Sequence, residues 1–141
     1  MPSFATSVSI CATPDAVWSV MTDVARWHEW LPTVTCVQPL EGQALTLGGR
    51  YLIVQPKLRP ATWVVTSLEP RRGFSWQTKR PGIMVVADHV LEADCKGTTI
   101  VHLSVSFSGL LGTLAGRLAR SITQAYLARE AAALKHKVAG L

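Results

Sequence analysis

The sequence predicts an α+β domain, a meander of short antiparallel strands laid against one long C-terminal helix, and three observations carry that expectation. The first is an apolar stripe at helical spacing between Leu110 and Val138. Leu111, Leu114, Ala115, Leu118, Ile122, Ala125, Tyr126 and Ala133 share a face, while Arg117, Arg120, Gln124, Lys135 and Lys137 lie largely off it. The second is the punctuation from Thr33 onward, where short apolar runs alternate with Gly and Pro. The third is length: such a helix is roughly 43 Å long, and only a broad β-sheet offers it a partner of that size.

The elements follow in order. Ser3 to Ile10 alternates Phe4, Thr6, Val8 and Ile10 against Ser3, Ala5, Ser7 and Ser9, the period of a half-buried strand. Thr13 is placed to cap a helix that has Pro14 at its first position and Asp15 in its first turn, running to about Thr22. Asp23 is placed to cap a second short helix carrying Val24, Trp27 and Trp30, which Pro32 stops. Six more strands are predicted near Val34 to Pro39, Arg50 to Gln55, Thr62 to Leu68, Phe74 to Thr78, Ile83 to Ala93 and Thr98 to Phe107. The turns between them are Gly48-Gly49, Pro56 to Pro60, Pro70 to Gly73, Arg80 to Gly82 and Asp94 to Gly97. Trp18, Met21, Trp27, Trp30 and Leu31 are expected to close one end of the sheet as structural walls.

Composition bounds the function. At 141 residues the chain suits a single domain over 1–141, able to bury roughly two thirds of its unfolded surface without staples. Cys11, Cys36 and Cys95 are odd in number and widely spaced, so neither a disulfide framework nor a structural zinc site is indicated, and a reducing cytoplasm fits. No secretory leader is read at the N-terminus, and the uncharged run Leu103 to Gly116 is too short and too polar for a transmembrane segment. A net charge of +5 could serve nucleic acid, an anionic membrane surface or an acidic ligand, and charge alone does not choose among them; because the basic residues are spread along the chain, ordinary solubility accounts for them equally, and no nucleic-acid partner is expected. HExxH, GxSxG, P-loop and GxGxxG motifs are absent, so no metal or cofactor is expected.

The order β, two short helices, six β, long α, together with Asp23 to Pro32, Gly49-Arg50-Tyr51 and Leu68 to Trp76, resembles the polyketide cyclase/dehydrase and lipid-transport family of the START-like (SRPBCC) superfamily. The resemblance implies a helix-grip fold in which a seven-stranded antiparallel sheet wraps the C-terminal helix and leaves a ligand cavity between them. It also implies binding of a hydrophobic or amphipathic small molecule, lipid-like or polyketide-like, a cyclase/dehydrase-like enzyme, or a protein or membrane interaction module.

Alternation assigns the lining of such a cavity, because side chains at i and i+2 share a sheet face. Val101, Leu103, Val105 and Phe107 face inward, with Ile100, His102, Ser104 and Ser106 outside. The same parity puts Val85, Ala87, His89 and Leu91 inward, with Tyr51, Ile53, Gln55, Trp63, Val65, Phe74, Trp76 and Thr78 on the neighbouring strands. From the helix, Leu111, Ala115, Leu118 and Ile122 complete the predicted ligand-binding set. His89 reads either as a polar anchor or general acid/base, with Tyr51 as a second catalytic candidate, or as a core histidine bonded to a carbonyl or to Tyr51. Tyr51, Gln55, Trp63 and Trp76 read either as ligand walls or as filler. Gly112 and Gly116 either open room for ligand or let the helix approach the sheet. Alternate turns of a meander lie at one end, so Lys57, Arg59, Lys79 and Arg80 are expected beside the entrance, near Gly109. There they suit a ligand with an acidic head group, or form an ordinary solvated face.

Overall fold

The computed structural model describes residues 2–140. Seven strands, β1 (Ser3–Ile10), β2 (Cys36–Pro39), β3 (Arg50–Val54), β4 (Ala61–Glu69), β5 (Gly73–Arg80), β6 (Ile83–Ala93) and β7 (Thr99–Ser108), form one antiparallel sheet in the order β1-β7-β6-β5-β4-β3-β2. The first and last strands pair at one edge of the sheet, where Phe4 lies opposite Val105 and Val8 opposite Val101. Alternation sets the faces: Val101, Leu103 and Phe107 are buried, whereas Ile100, His102, Ser104 and Ser106 are only partly covered on the outer face. β4 departs from strict alternation. Val65 pairs with Trp76 and Ser67 with Ser75, so Thr66 is an extra residue whose bulge lets Trp63 and Val65 before it, and Leu68 after it, all join the core.

Between β1 and β2 the chain folds as the cap chemistry dictates. Helix α1 (Pro14–Met21) starts where the Thr13 hydroxyl accepts a hydrogen bond from the Ala16 amide at 3.3 Å, and Val17, Val20 and Met21 turn inward. The second short helix, Val24–Glu29, is a tight 3-10 turn, and Asp23 supplies no side-chain cap to it. Its anchor is Trp27, whose indole N–H donates to the Met21 carbonyl at 3.0 Å. Met21, Trp27 and Leu31 are buried at this end of the sheet, while Trp18 and Trp30 pack half-buried against them.

The long C-terminal helix is present, but its continuity from Leu110 to Val138 is corrected. It is two helices, α2 (Gly112–Leu118) and α3 (Arg120–Ala139), broken at Ala119. The residues that α2 buries are Gly112 and Gly116, not its leucines. A side chain at 112 would stand 3.2 Å from the Phe107 carbonyl carbon, and one at 116 would stand 2.5 Å from the Pro2 ring. The glycines therefore bring α2 down onto the sheet, and Leu114 and Leu118 point to solvent. α3 needs more room, because Leu127, Ala131, Leu134 and Val138 are buried between it and the sheet. A straight rod cannot lie close at one end and stand off at the other, and the break at Ala119 resolves the conflict.

Candidate functional site

A cleft of about 560 Å³ lies between the inner face of the sheet and the first half of α3. Two periodicities build its walls. Steps of two along the strands bring in Ile53 and Gln55, Trp76 and Thr78, Val85, Ala87 and His89, and Val105 and Phe107, with Trp63 beside them. Steps of three and four along the helix bring in Ala119, Ile122, Thr123, Tyr126, Leu127 and Glu130.

At the mouth, the β3–β4 turn supplies Lys57, Leu58 and Arg59, and the end of β5 supplies Arg80. The turns are tied together: the Arg80 guanidinium donates to the Pro60 carbonyl at 3.1 Å, and the Tyr126 hydroxyl donates to the Pro56 carbonyl, fastening the turn to α3. Lys57 holds a φ of +66°, a left-handed conformation that turns the chain at the rim.

The polar centre of the cleft is His89, 3% exposed on β6. Its ring stacks on Phe74 with 4.1 Å between centroids and 6° between planes, and Trp27 and Trp76 flank it. One nitrogen, Nδ1, lies 3.3 Å from the Phe74 carbonyl; the other, Nε2, lies 3.4 Å from the Glu130 carboxylate on α3. A carbonyl can only accept, so Nδ1 carries a proton. Nε2 and Glu130 then share either a proton or an imidazolium–carboxylate attraction. Such a pair, both of whose residues line the cleft, can hold a proton at Nε2 or on a carboxylate oxygen, the minimum equipment for moving a proton to or from a bound molecule.

Sequence parity and the structure diverge at several expected site residues. Tyr51 is on the inner side, with its ring 5.9 Å from that of Trp76, yet its hydroxyl donates to the Ala44 carbonyl at 2.9 Å and it does not line the cleft. Burial, reinforced by nearby Glu41, pushes its phenol above the usual range. Phe74 lies behind His89, and Leu103 is deep in the core. Leu111, just before α2, and Ala115 and Leu118 within it lie outside the cleft, because the glycines, not the leucines, face the sheet. Lys79 is exposed one step away from the mouth that Arg80 joins.

Glu130 was missed by sequence reasoning that collected only apolar residues into the helical stripe. The signal was present, since Ile122, Tyr126 and Glu130 are spaced four apart and so share a face. Two other features are less suited to a site. Ser7, His102 and Glu92 form a chain across the outer face, 2.7 Å from the Ser7 hydroxyl to Nδ1 and 3.3 Å from Nε2 to the carboxylate, but it lies on an open, exposed sheet surface with no enclosing wall. A larger concavity of about 760 Å³ at the opposite end is framed by the charged residues Asp15, Glu69, Arg71 and Arg72, so it offers less apolar wall than the smaller cleft. Among the described residues no group of three or more His, Cys, Asp or Glu is placed to hold a metal ion, and no helix is long and apolar enough to cross a membrane.

Comparison with known proteins gives one family and one fold. The family described as polyketide cyclase / dehydrase and lipid transport matches residues 1–139. No curated protein matches the sequence significantly. Among solved structures, XoxI from Bacillus cereus is 15% identical with a TM-score of 0.78, the match covering 98% of this chain and 96% of that one. The ZhuI aromatase/cyclase from Streptomyces sp. R1128 is 17% identical with a TM-score of 0.77, covering 96% and 92%. The di-domain aromatase/cyclase BexL of the BE-7585A biosynthetic pathway is 20% identical with a TM-score of 0.71, covering 98% of this chain and 46% of that one. These likenesses establish a shared fold.

Proposed function

The chain belongs to the polyketide cyclase/dehydrase and lipid-transport family, and from that premise we propose that it binds an amphipathic small molecule with an acidic head group in the cleft between sheet and α3. The observation that carries this reading is the cleft itself: about 560 Å³, walled by Ile53, Trp63, Val85, Val105 and Ile122, with Lys57, Arg59 and Arg80 at its mouth. An apolar tail leaves water inside while a carboxylate or phosphate meets cations outside. The test is titration with a fluorescent fatty acid and with the alcohol of the same chain length. The acid binds more tightly, and R59E/R80E removes that preference, most clearly at low salt where screening is least. Equal affinities for acid and alcohol at low ionic strength would show a neutral head group; binding of neither would remove the ligand reading.

A second reading, acid/base catalysis on a polyketide-like chain, is favoured by the His89–Glu130 pair facing the cleft. The pair would accept a proton from carbon beside a carbonyl and return one to a departing hydroxyl, releasing water. Turnover of a poly-β-ketone thioester, followed by the absorbance of an aromatic product, falls about a hundredfold or more in H89A and E130Q if the pair is catalytic. Unchanged turnover in both variants leaves binding alone.

A further inference from the structure

The leucines of segment 110–118 take no part in the cleft. Leu110 is 98% exposed and Leu118 79%, with Leu111 and Leu114 at least half exposed between them. The spacing 111, 114, 118 places three of them on one side of the helix. Rotating that side inward would drive side chains into the space that Gly112 and Gly116 leave against Phe107 and Pro2, so the fold holds the leucines outward.

This apolar corner is surrounded by positive charge. Lys57, Arg59, Lys79, Arg80, Arg117 and Arg120 lie on segments 56–60, 79–82 and 109–120, which contain no Asp or Glu. The three segments meet: Arg80 bonds to the Pro60 carbonyl, and the Leu111 amide bonds to the Gly82 carbonyl at 2.8 Å. Among the described residues none of these six cations is paired with a carboxylate, whereas Arg71 at the opposite end reaches Asp15 at 3.6 Å.

We infer that this corner docks onto an anionic lipid bilayer, its leucines entering the acyl boundary while the cations meet headgroup phosphates. The mixture of exposed leucines and cations favours lipid over a protein partner. Leu110 and Leu118 are almost free of protein contact, and long cationic side chains beside them can extend to a charged plane while their stems stay in apolar surroundings. An anionic surface also supplies the carboxylate or phosphate partners that the six cations lack among the described residues. Lys57, Arg59 and Arg80 belong both to this corner and to the mouth of the cleft, so the docked protein turns its opening toward the membrane. The inference goes beyond the ligand reading and stands on the outer leucines and cations alone.

The experiment is flotation of the full chain with vesicles of phosphatidylcholine, with and without about one third phosphatidylglycerol. The protein binds the mixed vesicles at least about tenfold more tightly than the neutral ones, and the difference shrinks in high salt. L110S/L114S/L118S, chosen to spare Leu111 where it covers Gly82, weakens binding to mixed vesicles about tenfold or more while leaving the melting temperature and the binding of soluble fluorescent fatty acid unchanged. R117E/R120E has the same selectivity of effect. Wild-type protein that ignores mixed vesicles, or serine variants that bind as wild type does, overturns the inference. So does light scattering that shows a wild-type dimer converted to monomer by the serine substitutions, because the leucines would then be covered by a second copy. Loss of fatty-acid binding with vesicle binding intact counts against the ligand reading alone.

Discussion

The two halves of α3 meet different surroundings. Its second half is packed: Ala131, Leu134 and Val138 are buried with Val17, Met21, Val101 and Leu103 in the main core. Its first half borders open volume, with Ile122, Thr123 and Tyr126 only partly covered along the cleft. One helix thus serves both as a core element and as a wall of a site. The difference teaches that the site exists where packing stops, and α1 and the 3-10 turn decide where that is, because they fill only one end of the sheet.

The contrast is easiest to break with truncations. Leu134→Ala should cost about 2–5 kcal/mol of stability in urea unfolding, since it leaves a cavity in close-packed surroundings. Ile122→Ala should cost no more than about 1 kcal/mol and instead weaken binding of the fluorescent fatty acid. Equal destabilisation by the two would mean that the first half of the helix is core after all. Insertions sharpen the same comparison at smaller amplitude. Ala131→Leu should lose about 1–3 kcal/mol by overpacking, while Thr123→Leu should leave the melting temperature nearly unchanged and occupy volume the probe needs. A destabilised Thr123→Leu variant would show the cleft to be tighter than its 560 Å³ suggests.

Tyr51 gives a small effect and assigns a side to a residue that sits between the two regions. Tyr51→Phe removes the bond to the Ala44 carbonyl and should cost about 0.5–1.5 kcal/mol near neutral pH, with no change in probe affinity. The pH dependence follows from its raised phenol pKa, caused first by burial and then by Glu41. The neutral form is favoured in the folded protein, so its contribution is complete below the unfolded value of about 10 and is lost as pH rises through the folded one. Alkaline unfolding curves of the Phe variant should therefore be flatter than those of wild type. A fall in probe affinity would move Tyr51 into the site.

Most of the fold was legible because strands announce themselves by alternation and helices by caps. Ile83 and Ala93 bound β6 as their pattern predicts, and Thr13 caps α1 as its position predicts. The break at Ala119 was not legible. The four-residue step from Leu118 to Ile122 keeps helical phase, and neither Gly nor Pro marks the spot. An apolar stripe also states that one face differs from the other, not which of them meets the protein, so the leucines of α2 were expected inside. The sheet wall of the site was readable residue by residue from parity. The spacing of Ile122, Tyr126 and Glu130 places Glu130 on the inner face of the helix, but its pairing with His89 was not readable, because nothing in a linear chain places residue 130 beside residue 89.

The glycine contacts that settle α2 on the sheet also set the order in which the molecule opens. A seven-residue helix is unstable on its own, and with Gly112 and Gly116 as its buried residues α2 gains little burial energy in return. Separated from α3 by the break, it can unravel without disturbing the residues behind it. Amide protons of 115–119 should accordingly exchange with deuterium in an early, local event, while those of 131–138 should wait for global unfolding. The corner that carries the exposed leucines thus also holds a segment expected to melt early, a property of the backbone that would persist if every leucine on it were replaced.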